Sequence, residues 1–210
     1  MELYSAYDVQ IKDYHHIFDH TVRLYQQAVS FFLNICEKEW NRLEPLKGKD
    51  RNNQIERLTL ETKKNPDPKY SFNSLFYKMP AYLRRAAISA AIGAYSSYIS
   101  NLRKWQEHPE GRRPSLQLER NLMPVLYRDS MFAWTGQETA KIKIFHKNDW
   151  VWLDIALRHQ DIKYIQAHCQ SKAECSPSLK RKGKRWVLSF PFKEQISLNS
   201  KPVKEDTLSN

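Results

Sequence analysis

The chain has 210 residues, enough for one large domain or two small ones, and its 41% hydrophobic and 12% aromatic content suffices to bury a core. A net charge of +11 draws in anionic partners over a Debye length, which favours nucleic acid or an acidic membrane surface over a neutral substrate. No apolar run reaches the roughly 18 residues of a membrane span. The opening "MELYSAYDVQ" lacks the basic, then apolar, layout of a secretory signal, and the chain reads as cytoplasmic.

The alternation in "YSAYDVQI" predicts a first strand over 4–11, with Asp13 placed to cap the next element. Phe18, Val22, Tyr25, Val29, Phe32, Cys36 and Trp40 then recur at steps of three and four, which predicts an amphipathic helix ended by Pro45 and Gly48. Its other face, including Arg23 and Gln26, reads as solvated. Residues 46–72 are charged and contain "NPDP", so a short helix near 54–60 and an exposed loop are expected.

"MPAYLRRAAISAAIGAYSSYISNLRKW" predicts a second long helix, with Pro80 in its first turn and His108, Pro109 and Gly111 stopping it. Leu83, Ala87, Ala91 and Ala94 line one face, and Ile88, Ile92, Tyr95 and Ile99 a second beside it. A helix apolar on two sides belongs at the centre, and its alanines would let the first helix approach closely. Arg84 and Arg85 fall in the first turn, where cations oppose the helix dipole at a cost of about 0.3–1 kcal/mol. With the free N–H groups of that turn they would form a phosphate-sized anion site; alternatively they lie over apolar surface with their heads in water.

Residues 109–136 are irregular and punctuated by proline. Arg112 and Arg113 are candidates for contact with a polynucleotide, and Arg128 beside Tyr127 and Phe132 suits stacking or clamping, whereas Trp134 reads as an anchor to the core. Two hairpins come next. "AKIKIF", the break "HKND" and "WVWLDIAL" form one, with Val151, Leu153, Ile155 and Leu157 on a shared face. "SPSLKRK", Gly183 and "RWVLSFPF" form the other, with Trp186, Leu188, Phe190 and Phe192 on a shared face. With the first strand these supply five, enough for an α+β fold in which a small antiparallel β-barrel carries a helical bundle inserted between its first strand and the rest. The boundaries are 1–13 for the first barrel strand, 14–136 for the helical lobe and connector, 137–195 for the remaining strands and 196–210 for a polar tail.

Three cysteines do not make a disulfide framework, and Cys36 on an apolar helical face reads as a small buried hydrophobe. "HCQSKAEC" sets His168, Cys169 and Cys175 near His159 without the paired spacing of a zinc site. These read as loop residues, and neither a metal nor another cofactor is expected.

Lys180, Arg181, Lys182, Lys184 and Arg185 crowd the turn of the second hairpin. A rigid turn holds its cations still, so they lose less entropy on meeting phosphates than a floppy tail does, and each phosphate neutralised releases counterion. No side chain there reads bases, so the turn would supply affinity and not sequence choice. The alternative is a turn that is merely solvated.

The order of "MPAYLRRAAISAAIGAYSSYISNL", "RRPSLQLERNLMPVLYRDSMF", "KIKIFHKNDWVWLDIAL" and "SPSLKRKGKRWVLSFPF" resembles the N-terminal half of OrfB/TnpB transposon proteins, relatives of the type V CRISPR effectors, over roughly residues 4–195. The resemblance implies an RNA-guided DNA endonuclease whose N-terminal half has a wedge-type barrel gripping guide RNA and a helical recognition lobe facing target DNA. By position, the helix opening at 82–85 and the 127–132 stretch would lie near DNA, and the 180–185 turn would face RNA. The chain departs from the family where a RuvC-like nuclease strand is due. There "KEQISLNSKPVKEDTLSN" is polar, and Glu205 and Asp206 sit in it and not on an apolar strand. Cutting by two metal ions about 3.5–4 Å apart needs a convergent carboxylate set that the sequence does not offer. The expectation is therefore a chain that binds RNA and DNA, not membrane, and does not cut. The alternatives are half of a split nuclease completed by a separate chain, and a basic protein that binds anionic surfaces generally.

Overall fold

The structure, a computed structural model, describes residues 2–13, 16–116 and 122–195. The tail at 196–210, with Glu205 and Asp206, lies outside the described residues. In chain order the elements are β1 (Glu2–Gln10), α1 (Ile17–Leu43), α2 (Gly48–Thr59), α3 (Ala81–Glu107), β2 (Phe132–Trp134), β3 (Thr139–His146), β4 (Asp149–Ala156), α4 (His159–His168), β5 (Ala173–Glu174), β6 (Ser178–Lys182) and β7 (Arg185–Gln195). The fold is α+β, and its strands pair antiparallel.

The apolar stripe of α1 is buried from Phe18 to Leu43. Asp13 does not cap this helix; its N-cap is His16, which makes no side-chain capping bond. At the other end Arg51 of α2 donates to the carbonyls of Leu43, Glu44 and Leu46 at 2.9, 2.9 and 2.6 Å. These are among the carbonyls that a helix end leaves unpaired, so one guanidinium closes the C-terminus of α1 while its charge lies 5.1 Å from the Trp40 ring. The helix α2 begins at Gly48, earlier than the expected 54–60.

Against the α1 stripe stand Leu83, Ala87, Ile88 and Ala91 of α3, all fully buried, with the Trp40 and Tyr95 rings 4.8 Å apart. The alanines admit α1 as expected, but α3 is not central. Ser89, Gly93 and Ser97 form an exposed side of the helix next to the two apolar stripes. Ala90, Ala94 and Tyr98 face an open groove of about 390 Å³ bordered by Ser115, Leu116 and Leu122.

The strands form two sheets instead of one barrel. In the first, β7 pairs with β1 from Glu2↔Gln195 to Gln10↔Val187, while β6 and β5 share its other edge. Trp186, Leu188, Phe190 and Phe192 point into the core together, as the alternation predicted. In the second, β2, β3 and β4 lie side by side, and Lys147 and Asn148 close β3 to β4 with φ of 48° and 60°. Positive φ at both central residues is the primed-turn geometry that matches strand twist. Twist near that turn also buries Trp150 and leaves Val151 exposed, so only Leu153, Ile155 and Leu157 of the expected face turn inward.

An isolated bridge, Ile11↔Leu157, joins the ends of β1 and β4 and so the two sheets, and a second, Val125↔Ser178, ties the segment before β2 to β6. At the second, Leu126 donates to the Pro177 carbonyl at 2.8 Å and Leu179 to the Pro124 carbonyl at 3.0 Å. Neither proline has an N–H to return, so the ladder cannot continue there. The buried Thr21 of α1 joins helix to sheet by accepting from the Phe145 N–H at 3.0 Å.

Residues around His159 and Cys169 are not a loop. They form α4, which buries Ile162 and sets Tyr164 against Tyr7 at 5.7 Å. All three cysteines are free, Cys36 and Cys169 buried. Burial pushes the Cys36 thiol up to about 12.

Candidate nucleic-acid interface

The β6–β7 turn is tight because Gly183 supplies φ +58°, a conformation other residues adopt only with strain. Its cations are anchored. Lys180 Nζ donates to Ser189 Oγ at 3.0 Å, Lys182 pairs with Asp8, and Arg185 Nη1 donates to Gln10 Oε1 at 3.4 Å. Arg181 Nε donates to the Gly183 carbonyl at 3.1 Å and its Nη1 pairs with Asp19 at 3.1 Å. Lys184 stands exposed at the tip. Burial works to raise the Asp8 carboxyl, but hydrogen bonds from Lys182 and Ser189 and the Lys180 charge hold it below the ordinary carboxylate range.

Two carboxylates thus face five cations, so the hairpin stays basic. The heads remain in water: the Lys182 and Arg181 side chains are 65% and 45% exposed. Exposed pairs of this kind are worth about 0–1 kcal/mol, so phosphate oxygens can exchange with the carboxylates at small cost.

The Arg181–Asp19 pair bridges the hairpin to α1 at a groove of about 490 Å³ between the two. Arg23 and Gln26 of α1 line it with Met123, and Trp186 forms its floor. Phe18 stands edge-on to Trp186 at 5.3 Å, which fixes the floor to α1. The buried Trp186 Nε1 has no hydrogen-bond partner, but neither do Trp40, Trp105 and Trp150, so that donor alone does not mark the groove. Arginines on two different elements, facing one groove, do.

The 122–128 segment links this groove to the start of α3. Gln26 donates to the Leu122 carbonyl at 3.2 Å, and Tyr127 stacks on the exposed Tyr82 at 5.1 Å with the rings 28° apart. The helix opening and the 127–132 stretch are therefore brought together, as expected for two segments that share one surface. Arg84 and Arg85 do not form an unoccupied anion site, because both reach Glu56 Oε1 of α2 at 3.2 Å. Glu56 offsets the cost of cations at this helix start. Arg128 pairs with Glu174, which also accepts from Trp134 Nε1 at 3.3 Å. Trp134 stacks on Phe190 at 5.5 Å and anchors β2 as expected. Arg112 and Arg113 are exposed and make no pair among the described residues.

Sequence reasoning missed Arg23, read as a solvated polar face, and the acidic partners Asp8, Asp19 and Glu56. It also passed over Lys141 and Lys143, which alternate with the buried Ala140, Ile142 and Ile144 and so share the outer face of β3. That period of two was legible. Among the described residues, no three His, Cys, Asp or Glu side chains are grouped to hold a metal ion, and no helix is long and apolar enough to cross a membrane.

Residues 5–146 match the Aq_aa04 family. The chain belongs to that family. A relative from Aquifex aeolicus (strain VF5), named "Uncharacterized protein aq_aa04", is 31% identical over 126 residues, covering 52% of this chain and 70% of the relative. The Aq_aa04 match takes in β1, the first three helices, β2 and β3, and with them Arg23, Tyr82, Tyr127 and Arg128. The β6–β7 hairpin lies beyond it, so the groove has one wall inside the matched region and one outside.

Proposed function

We propose that this chain grips a polynucleotide by its backbone, as the non-cutting N-terminal region of a TnpB-like RNA-guided nuclease. On this reading the two sheets take the place of the wedge-type barrel, the groove beside the 180–185 turn receives guide RNA, and the Tyr82–Tyr127 stack faces target DNA. The observation that carries it is the anchoring of Lys180, Arg181, Lys182 and Arg185 to a folded scaffold beside a groove that Arg23 of α1 also lines. Cations held in place lose little entropy when phosphates arrive, and each phosphate seated releases condensed counterion. Base pairing between guide and target, not protein side chains, would carry sequence choice.

Titration of the purified chain with the transcript flanking its own gene, an unrelated RNA of equal length, and acidic vesicles, each at two salt concentrations, tests this. The expected order is own transcript, then unrelated RNA, then vesicles. Equal affinity for all three would leave a general anion binder, and magnesium-dependent strand scission by the chain alone would contradict the non-cutting reading.

A further inference from the structure

The outer face of the β3–β4 hairpin carries an aromatic and cationic patch separate from the groove. Lys143 and Trp152 are direct cross-strand partners, and Lys141 lies two residues along the same face, opposite Asp154. The Lys141 and Lys143 ammonium groups lie 5.1 and 5.7 Å from the Trp152 ring centre, and neither makes an ion pair among the described residues. Trp150 points to the same side but is only 8% exposed, its ring 5.5 Å from Phe145. Trp152, in contrast, is 39% exposed in the middle of the strand. Trp134 of the same sheet is as exposed at 38% but stacks on Phe190 and bonds Glu174, whereas the contacts of the Trp152 ring are the two ammonium groups.

We propose that Trp152 is a stacking platform for an unpaired base of single-stranded RNA or DNA, with Lys141 and Lys143 taking the phosphates on either side. The inference rests on the nucleic-acid reading and adds a second contact on a different sheet. An indole face flanked by two unpaired ammonium groups complements a chain of stackable bases joined by anions, and stacking accepts any base. Both lysines are half-buried and their ammonium groups lie over the ring, so a base entering there displaces the heads toward its own phosphates. A protein partner of apolar chemistry would have to bury both ammonium groups with a carboxylate, Asp154, opposite Lys141 and none opposite Lys143.

The test compares the full chain, Trp152→Ala, Trp152→Phe and the double variant Lys141→Ala/Lys143→Ala. Each is titrated with a single-stranded oligonucleotide and with an abasic strand of equal length, after circular dichroism and thermal melts confirm folding. Trp152→Ala should weaken the base-bearing strand by about tenfold and leave the abasic strand unchanged, with Trp152→Phe retaining most of the affinity. The lysine variant should weaken both strands. If Trp152→Ala leaves the base-bearing strand unchanged, or weakens both strands alike, the stacking site is wrong while the polynucleotide reading stands. If the wild-type chain binds neither strand, both fall together.

Discussion

Glu39 is an acid in the buried stripe of α1, 5% exposed. It accepts from the Tyr70 hydroxyl at 2.8 Å and pairs with Lys69 and, at 3.6 Å, with Arg42. The hydrogen bonds from Lys69 and Tyr70 outweigh burial and hold its carboxyl below the ordinary value of 4.5. A folded value below the unfolded one means the unfolded chain binds the proton first as pH falls. The stabilisation from this group is therefore complete above 4.5 and disappears as pH drops through the lower folded value. Denaturant melts of wild type and Glu39→Gln across that acid range should converge: the variant is less stable at neutral pH and loses less on acidification. Parallel curves would remove Glu39 from the acid response.

At the scale of elements, the α1–α3 contact depends on alanine. Ala87→Leu, inserted where the side chain is fully buried, should overpack the interface and cost about 1–3 kcal/mol. Ala90→Leu, facing the open groove, should change stability by less than about 0.5 kcal/mol, as read from urea midpoints at constant slope. The three-and-four spacing made α1 and α3 legible, and the period of two made the faces of β6 and β7 legible, because each pattern is set by burial against a single neighbour. Closure of the strands into a barrel was not legible. It depends on which segments far apart in the chain come side by side, as Val125 and Ser178 do, and pattern within one segment carries no information on that. The helix α4 was hidden by its short apolar face, Ile162 with the half-buried Ile165. Of the interface, the positions of the cations along the chain were readable; their partners Asp8, Asp19 and Glu56 were not, because each comes from a different element.

For the whole molecule, a charge of +11 becomes informative only through its placement. The cations at Arg84, Arg85 and Arg128 are held by glutamates, whereas the hairpin keeps an excess over its two carboxylates, and Arg23 lines the same groove. On the proposed function, the hairpin therefore carries a large share of the salt-sensitive binding. The most direct measurement is the slope of log affinity against log salt for RNA, taken for wild type and for a chain with Lys180, Arg181, Lys182, Lys184 and Arg185 all replaced by Gln. Every phosphate of a single strand that is no longer neutralised reduces the slope by about 0.7, so a fall of about 2–3.5 is expected. Equal slopes for the two proteins would mean that these five cations touch only water, and would contradict the proposed grip on the polynucleotide backbone.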